Sequence, residues 1–509
     1  MNRKFGNVLW GGDKPGRAVT LGIQHVFAMF GSTVLVPALT GLDASVTLLS
    51  MGIGTLIFHL CTRGVVPAFM GSSFSFIAAI CAVMTKYGGN AAYVGWGIMA
   101  SGVLYLLLAG LVKIFGAKKI TNFFPPVVTG CMIIIIGMML APTAMGNVTG
   151  VPGDFAFRET VQISENAEQK NGFIRYESGV VKGWLATDDL QQDAEAEAKD
   201  GCVAYSVSNY DGTTLLEEAN AEAKTAKSTF TWKYWVVAIF TIIVIMLVMF
   251  FVRGFFKLIP ILIGIVAGYA LSAALGLVDF TSVRDASWLT LPKITPFISG
   301  NLNWGYVGSS IILIAPMAIV TFVEHVGDIT ANGAVTGHNY IEDPGLHRTL
   351  LGCGLASVFS GGLGGPAATT YSENTGVLAA TRNYNPATLR IAAVFAILLA
   401  FIGKVSGVLQ SIPAPVMGGV SVILFGMIAS VGLRMLVENQ VDFTKSYNLI
   451  IAGIMLVFGL GLSAGITVGN VTVSGTAIAA VLGIILAKIL PKKDADERKA
   501  EKDAQTVAK

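Results

Sequence analysis

The sequence predicts an all-α polytopic membrane protein, with about fourteen membrane segments arranged as two inverted repeats of seven. Three observations carry this. Of 509 residues, 53% are hydrophobic and only 13% charged, with a mean hydropathy of +0.68; a soluble domain averages about 25% charged. Apolar runs recur along most of the chain. Runs in the first half also share motif spacings with runs in the second.

The runs fall near 19–39, 46–60, 66–84, 92–115, 124–142, 232–252, 259–278, 306–326, 349–363, 371–381, 387–411, 415–437, 447–464 and 474–490. Met1 to Arg17 is polar and Gly-rich with no signal-peptide core, so the first run is expected to remain as a span. Lys and Arg recur on alternate connections: Arg3, Lys4, Lys14 and Arg17 before the first run, Arg63 after the second, Lys113, Lys118 and Lys119 after the fourth, Arg253 and Lys257 after the sixth. With an even number of spans, this bias predicts both termini in the cytoplasm. The chain then divides into an N-terminus (1–18), segments one to five (19–142), an acidic insert outside the cytoplasm (143–231), segments six and seven (232–278), segments eight to fourteen (306–490) and a tail (491–509). The insert is rich in Asp and Glu, as at Asp188-Asp189 and Glu195-Ala196-Glu197. Its apolar content is too thin for a large core, and it reads as a small, loosely packed cap.

A net charge of +3 is too small to point to nucleic acid. Of five cysteines, Cys61, Cys81, Cys131 and Cys353 lie in apolar runs and Cys202 stands alone in the insert. No His/Cys cluster has metal-ligand spacing, so no metal and no cofactor is expected. No nucleophile–base pair points to an enzyme.

The repeats locate the site. Pro126-Val127-Val128-Thr129-Gly130 and Pro415-Val416-Met417-Gly418-Gly419 are each followed, six residues on, by Gly-Met. Pro67-Ala68 precedes Ser73-Phe74 at the spacing by which Pro366-Ala367 precedes Ser372-Glu373. Gln24-His25-Val26 and Glu324-His325-Val326 form a third pair. In inverted-repeat transporters, paired interrupted segments mark the binding site. The third and tenth runs are that pair. Pro67–Gly71 and Pro366–Tyr371 are expected to be extended, each leading into a short helix whose N-terminal N–H groups face the midplane. Exposed backbone at that depth is tolerated only beside a cavity.

Glu324, Asp328 and Glu373 are the intramembrane acids, and charge there is costly enough to mark function. Glu324 and Asp328 are four apart and share a helix face; the alternative for Asp328 is a solvated end of its helix. His25 and His325 are candidates to orient the acids, or are satisfied core histidines. His59, His338 and His347 read as interface or loop residues. Asn374 and Thr381 serve equally as caps or bridges, and Arg382 as a positive-inside anchor.

Glu373-Asn374-x-Gly376-x-x-x-x-Thr381-Arg382 resembles the signature of the nucleobase–ascorbate transporter family, also called nucleobase:cation symporter-2. Gln24 to Gly31, Gly71-Ser72-Ser73-Phe74, Glu324-His325-Val326-Gly327 and Asp343 to Arg348 are similar to its bacterial uracil permease branch. The resemblance implies a core domain of segments one to four and eight to eleven. It also implies a gate domain of five to seven and twelve to fourteen, which mediates dimerisation. It assigns Glu324 and Glu373 to the substrate, the backbone N–H groups of Phe74 and Ser372 to its carbonyls, Ser32 and Tyr371 to the pocket wall, and Phe425 to the facing gate. Glu324, Asp328 and His25 are the proton-coupling candidates; Asn374, Gly376, Thr381 and Arg382 are signature positions. Asp328 stands where a uracil permease carries histidine and is a purine-branch feature. Ser372 and Phe425 stand where glycine and tyrosine are common. Glu373 opposes a purine assignment, because xanthine and urate carriers have glutamine there.

The expectation is an importer of uracil by proton symport, with sodium second as the coupling ion, working by elevator-like alternating access in a bacterial inner membrane. The alternatives are a purine–cation symporter or a small-anion carrier of the same fold. Uracil offers two N–H donors and two carbonyls, and a site built to pair them rejects bases that leave a buried partner unmatched.

Overall fold

The computed structural model describes residues 15–87, 89–117, 119, 125–149, 160–178, 181–187, 190–192, 202–207, 232–278, 280–295, 302–462, 466–468 and 471–491. Among these, seven helices are long and apolar enough to cross a membrane, and shorter apolar helices accompany them. In order come α1 (Pro15–Thr40), α2 (Ala44–Cys61), strand β1 (Met70–Ser72), a 3₁₀ turn (Phe74–Phe76) running into α3 (Ile77–Lys86), and α4 (Ala91–Phe115). α5 (Pro126–Met139) and α6 (Ala141–Thr149) precede the insert, and α7 (Trp232–Phe251) and α8 (Pro260–Ala274) follow it. The second half holds α9 (Trp304–Ile314), α10 (Met317–Thr336), α11 (Leu346–Gly362), α12 (Ser372–Thr381), α13 (Pro386–Ala400), α14 (Gly403–Gln410), α15 (Ala414–Glu438), α16 (Ser446–Gly461) and α17 (Gly475–Ile489).

Local chemistry sets many of these boundaries. Asp43 accepts from the Val46 N–H and caps α2; Asn90, Asn303 and Asn385 do the same for α4, α9 and α13. Pro126, Pro260 and Pro386 occupy the first turns of α5, α8 and α13, where a missing N–H costs nothing. The run expected at 306–326 continues to Thr336, with a joint at Ala315–Pro316, because polar residues in α10 hide its length from an apolar count. The run expected at 387–411 is two helices, broken at Phe401–Ile402.

Helices pack at small residues. α4 and α11 approach so closely that a Cβ on Gly95 would lie 2.5 Å from the Gly361 carbonyl. α13 packs on α2, α15 on α5, and α7 on α15.

The chain is mostly rather than wholly helical. Thr160–Ser164 (β2), Gln169–Lys170 (β3), Phe173–Ser178 (β4), Val181–Ala186 (β5), Leu190–Gln192 (β6) and Cys202–Val207 (β7) form two three-stranded antiparallel sheets in the insert. Ile163, Ile174, Tyr176 and Leu185 are buried together between them, and Arg175 lies 5.4 Å over the Trp184 ring. Ile174 and Tyr176 alternate with Arg175, the period of a half-buried strand. The acidic run at 193–200 lies outside the described residues.

Candidate functional site

The chain crosses itself where the third and tenth runs are interrupted. Strand β8 (Ala368–Thr370) pairs antiparallel with β1, placing Met70 opposite Thr370, Gly71 opposite Thr369 and Ser72 opposite Ala368. Ser73 N–H donates to Ala367 O at 2.9 Å and Tyr371 N–H to Phe69 O at 3.1 Å, extending the ladder at both ends. Pro67 and Pro366 oppose helix at the start of each stretch. The ladder then satisfies the backbone groups the extension leaves open.

At the ends of the ladder the two short helices begin. Ser73 and Tyr371 are their N-cap residues, and neither makes a side-chain capping bond. The first N–H groups of each helix, beginning at Phe74 and Ser372, therefore carry the partial positive charge that an oxygen-bearing ligand seeks.

Three carboxylates approach this crossing. Glu324 on α10 is half-buried and accepts from Ser75 Oγ at 3.1 Å. Glu373 is the second residue of α12, the helix that packs on α10 beside Glu324. Asp328, one turn beyond Glu324, accepts from Thr370 Oγ1 at 2.8 Å. It is thus tied to the crossing strand and is not simply a solvated helix end.

Asn374 is the counterpart of Ser75 in the other short helix. Its Nδ2 donates to His25 Nδ1 at 3.0 Å and to His25 O at 3.2 Å, so each short helix is bridged within its first turn to a neighbouring long helix. The structure therefore joins His25 to Asn374 and not to a carboxylate. His325 bonds Thr349 Oγ1 at 2.9 Å.

Tyr371 stands at the strand crossing. Its hydroxyl donates to Ser72 O at 2.8 Å, and its ring lies nearly parallel to Phe74, tilted 11° with centroids 6.4 Å apart. Phe425 of α15 is buried in an apolar cluster with Leu35 and Ile77, against which Phe74 packs. Ser32 lies in α1 and Ser372 opens α12; their side chains fall outside the described ones. Gly376 is exposed, and a Cβ there would meet nothing within 4 Å. Thr381 Oγ1 donates to Val377 O at 2.8 Å, and Arg382 closes α12 in the left-handed region at φ +51°, exposed. These two shape the end of the helix.

Sequence reasoning passed over Ser75 and Thr370, and named Ser72 only as part of a motif. The equal spacing of the third and tenth runs was the signal that pairs Ser75 with Asn374. His59 is buried and its Nε2 lies 3.0 Å from Ala68 O.

The described residues thus combine helices long and apolar enough to cross a membrane with carboxylates where two short helices begin. Residues 16–167 and 214–468 match Xan_ur_permease, described as a permease family. The chain belongs to this xanthine/uracil permease family. It is 38% identical over 484 residues to the uracil permease of Bacillus caldolyticus, covering 94% of each chain. It is 36% identical to that of Bacillus subtilis strain 168, over 96% of this chain and 95% of the relative. For that of Escherichia coli K12 the identity is 34%, over 93% and 91%. In fold it is similar to the transmembrane domain of a cyanobacterium bicarbonate transporter, BicA, at TM-score 0.58 and 14% identity over 96% of this chain and 99% of that one. It is also similar to the murine anion transporter Slc26a9 in its inward-facing state, at TM-score 0.59 and 12% identity over 96% and 72%.

Proposed function

We propose that the protein imports uracil together with a proton across a bacterial inner membrane. The observation that carries this is Glu324 and Glu373 converging where two helices begin without side-chain caps. Carboxylates accept from the ring N–H groups, and the free N–H groups of Phe74 and Ser372 donate to the carbonyls. Phe74 and Tyr371 offer parallel ring faces for a flat base to pack on. Uracil permeases among the relatives support the choice of base.

Two inverted repeats of seven segments are supported by the β1–β8 register. Ser72 and Tyr371 are counterparts 299 positions apart, and at that offset each rung of the ladder maps onto another rung. Helix pairing follows the same symmetry: α4 on α11 answers α13 on α2, and α7 on α15 answers α16 on α5. In this reading α1–α4 and α9–α14 form a core that carries the base past a gate of α5–α8 and α15–α17. The termini are cytoplasmic and the gate mediates a homodimer.

Neutralising a carboxylate lowers the cost of moving the core through a low-dielectric barrier, which couples proton to base. The fold neighbours are described as carriers of bicarbonate and other anions, but Glu373 at the meeting of the short helices opposes an anion here. Labelled-uracil uptake into proteoliposomes, with and without an inwardly directed proton gradient (acid outside), tests the proposal. Uptake is expected to exceed equilibrium only with the gradient, and equal uptake in both conditions would refute proton coupling.

A further inference from the structure

The inference rests on the proton-symport reading and deepens it at Asp328. Five side chains from three elements form one chain of hydrogen bonds. Thr349 of α11 donates its hydroxyl proton to Leu346 O at 2.9 Å, so it meets His325 Nε2 as an acceptor. His325 is therefore assigned as the Nε2–H tautomer, and its Nδ1 carries a lone pair. Two donors stand at that lone pair: Cys353 Sγ at 3.4 Å and Thr370 Oγ1 at 3.3 Å. Thr370 has one hydroxyl proton and directs it to Asp328 Oδ2 at 2.8 Å. An ionised acceptor makes the stronger bond, so the Cys353 thiol is left to satisfy Nδ1.

We propose that Thr370 is a positioning residue that transmits the protonation state of Asp328 to His325 and Cys353, by turning its single hydroxyl proton from the carboxylate to the imidazole. A proton taken from water adds to Asp328 Oδ2. The new carboxyl O–H then donates to Thr370 Oγ1. The Thr370 O–H, still intact, turns to His325 Nδ1, and the Cys353 S–H turns from that acceptor to Met70 Sδ, 4.0 Å from its sulfur. Loss of the proton reverses each move. No covalent bond changes except at Asp328.

The relay sits in β8, two residues before the backbone N–H of Ser372, so the strand that holds the base also registers the proton. The titratable and charged groups on the elements packed against α10 are Tyr93, Tyr105 and Lys113 of α4, His347, Arg348 and Cys353 of α11, Glu373 of α12, Cys131 of α5 and Lys488 of α17. Glu324 and His325 share α10 with Asp328, Arg382 ends α12, and Glu342 and Asp343 follow α10 in the chain.

The test is infrared difference spectroscopy, acid minus neutral, on the full-length protein in lipid without substrate. The wild type is expected to gain a carboxyl C=O band that is missing in Asp328→Asn. Over the same pH range an S–H stretch, assigned by its loss in Cys353→Ala, should shift to higher frequency, as the thiol exchanges an imidazole acceptor for the weaker thioether of Met70. In Thr370→Val the carboxyl band should be displaced and the S–H stretch should stay fixed; Thr370→Ser should restore both. An S–H stretch that stays fixed in the wild type while Asp328 protonates overturns the proposal. So does the absence of any Asp328 carboxyl band down to the acid limit of folding. Failure of the wild type to carry labelled uracil would refute the functional reading instead, and leaves the infrared outcome to be judged separately.

Discussion

The phenol ring of Tyr371 lies over Gly71 and fills the space that a methyl group on that glycine would occupy. The hydroxyl then reaches Ser72 O at 2.8 Å, so the ring spans the strand crossing and is fastened on its far side. Gly71→Ala should expel the ring, costing about 1–3 kcal/mol as overpacking and weakening base binding. Thermal unfolding in detergent with equilibrium uracil binding checks this. A double-mutant cycle with Tyr371→Ala should recover most of the loss, because the clash needs both partners. Additive effects of the two substitutions would show that the ring is not what Gly71 accommodates.

Glu324→Gln keeps an oxygen that can accept from Ser75 but removes the charge. Losing a hydrogen bond to a charged group is worth about 1.5–3 kcal/mol, so uracil binding should weaken by about one to two decades. Accumulation driven by a pH gradient should vanish even where binding persists. Concentrative uptake like that of the wild type would remove Glu324 from the coupling mechanism. Asp328→Asn keeps an acceptor for Thr370, so the fold is expected to survive and gradient-driven uptake to fall.

Gly376 occupies open space on α12, three residues from Glu373 and on the same helix face. Gly376→Ala should be stabilising, by up to about 1 kcal/mol from helix propensity, yet should slow uptake because its methyl enters the space beside Glu373. Melting and uptake measured on the same preparation separate the two effects. A lowered melting temperature would mean that the glycine is needed for packing.

The choice of base follows from Glu373. Uracil should compete for labelled uptake at lower concentration than xanthine or hypoxanthine. A series in which xanthine competes best would assign the site to purines, in line with Asp328.

Replacing 152–226 with a short Gly/Ser linker should leave uptake largely intact, because the described strands of the insert bury their own side chains together. Lost uracil binding in a well-folded deletion would give the insert a part in the site.

Much of the crossing was legible because its determinants are local. Pro67, Pro366 and the Gly-rich approach forbid a continuous helix, and the equal spacing to Ser73 and Ser372 predicts where the short helices resume. Glu373 at a helix start follows from the same arithmetic. The side-chain partners were not legible. Asn374 reads equally well as a cap until α1 brings His25 within 3.0 Å. Thr370 looks like an ordinary strand residue until α10 places Asp328 beside it. The sheets of the insert were missed because their alternation is short and sits among charged residues, where an apolar count finds nothing.

The ladder between β1 and β8 also has a consequence for how the chain is made. Met70 N–H finds Thr55 Oγ1 at 3.0 Å, a partner synthesised shortly before it. Ser73 N–H has to wait for Ala367 O, and Phe69 O for the Tyr371 N–H. Until the ribosome has passed Tyr371, the first half of the chain holds an unmated strand edge within the bilayer, where each unpaired backbone group is expensive. A nascent chain stopped before Pro366 should therefore be the species that membrane quality control recognises and degrades.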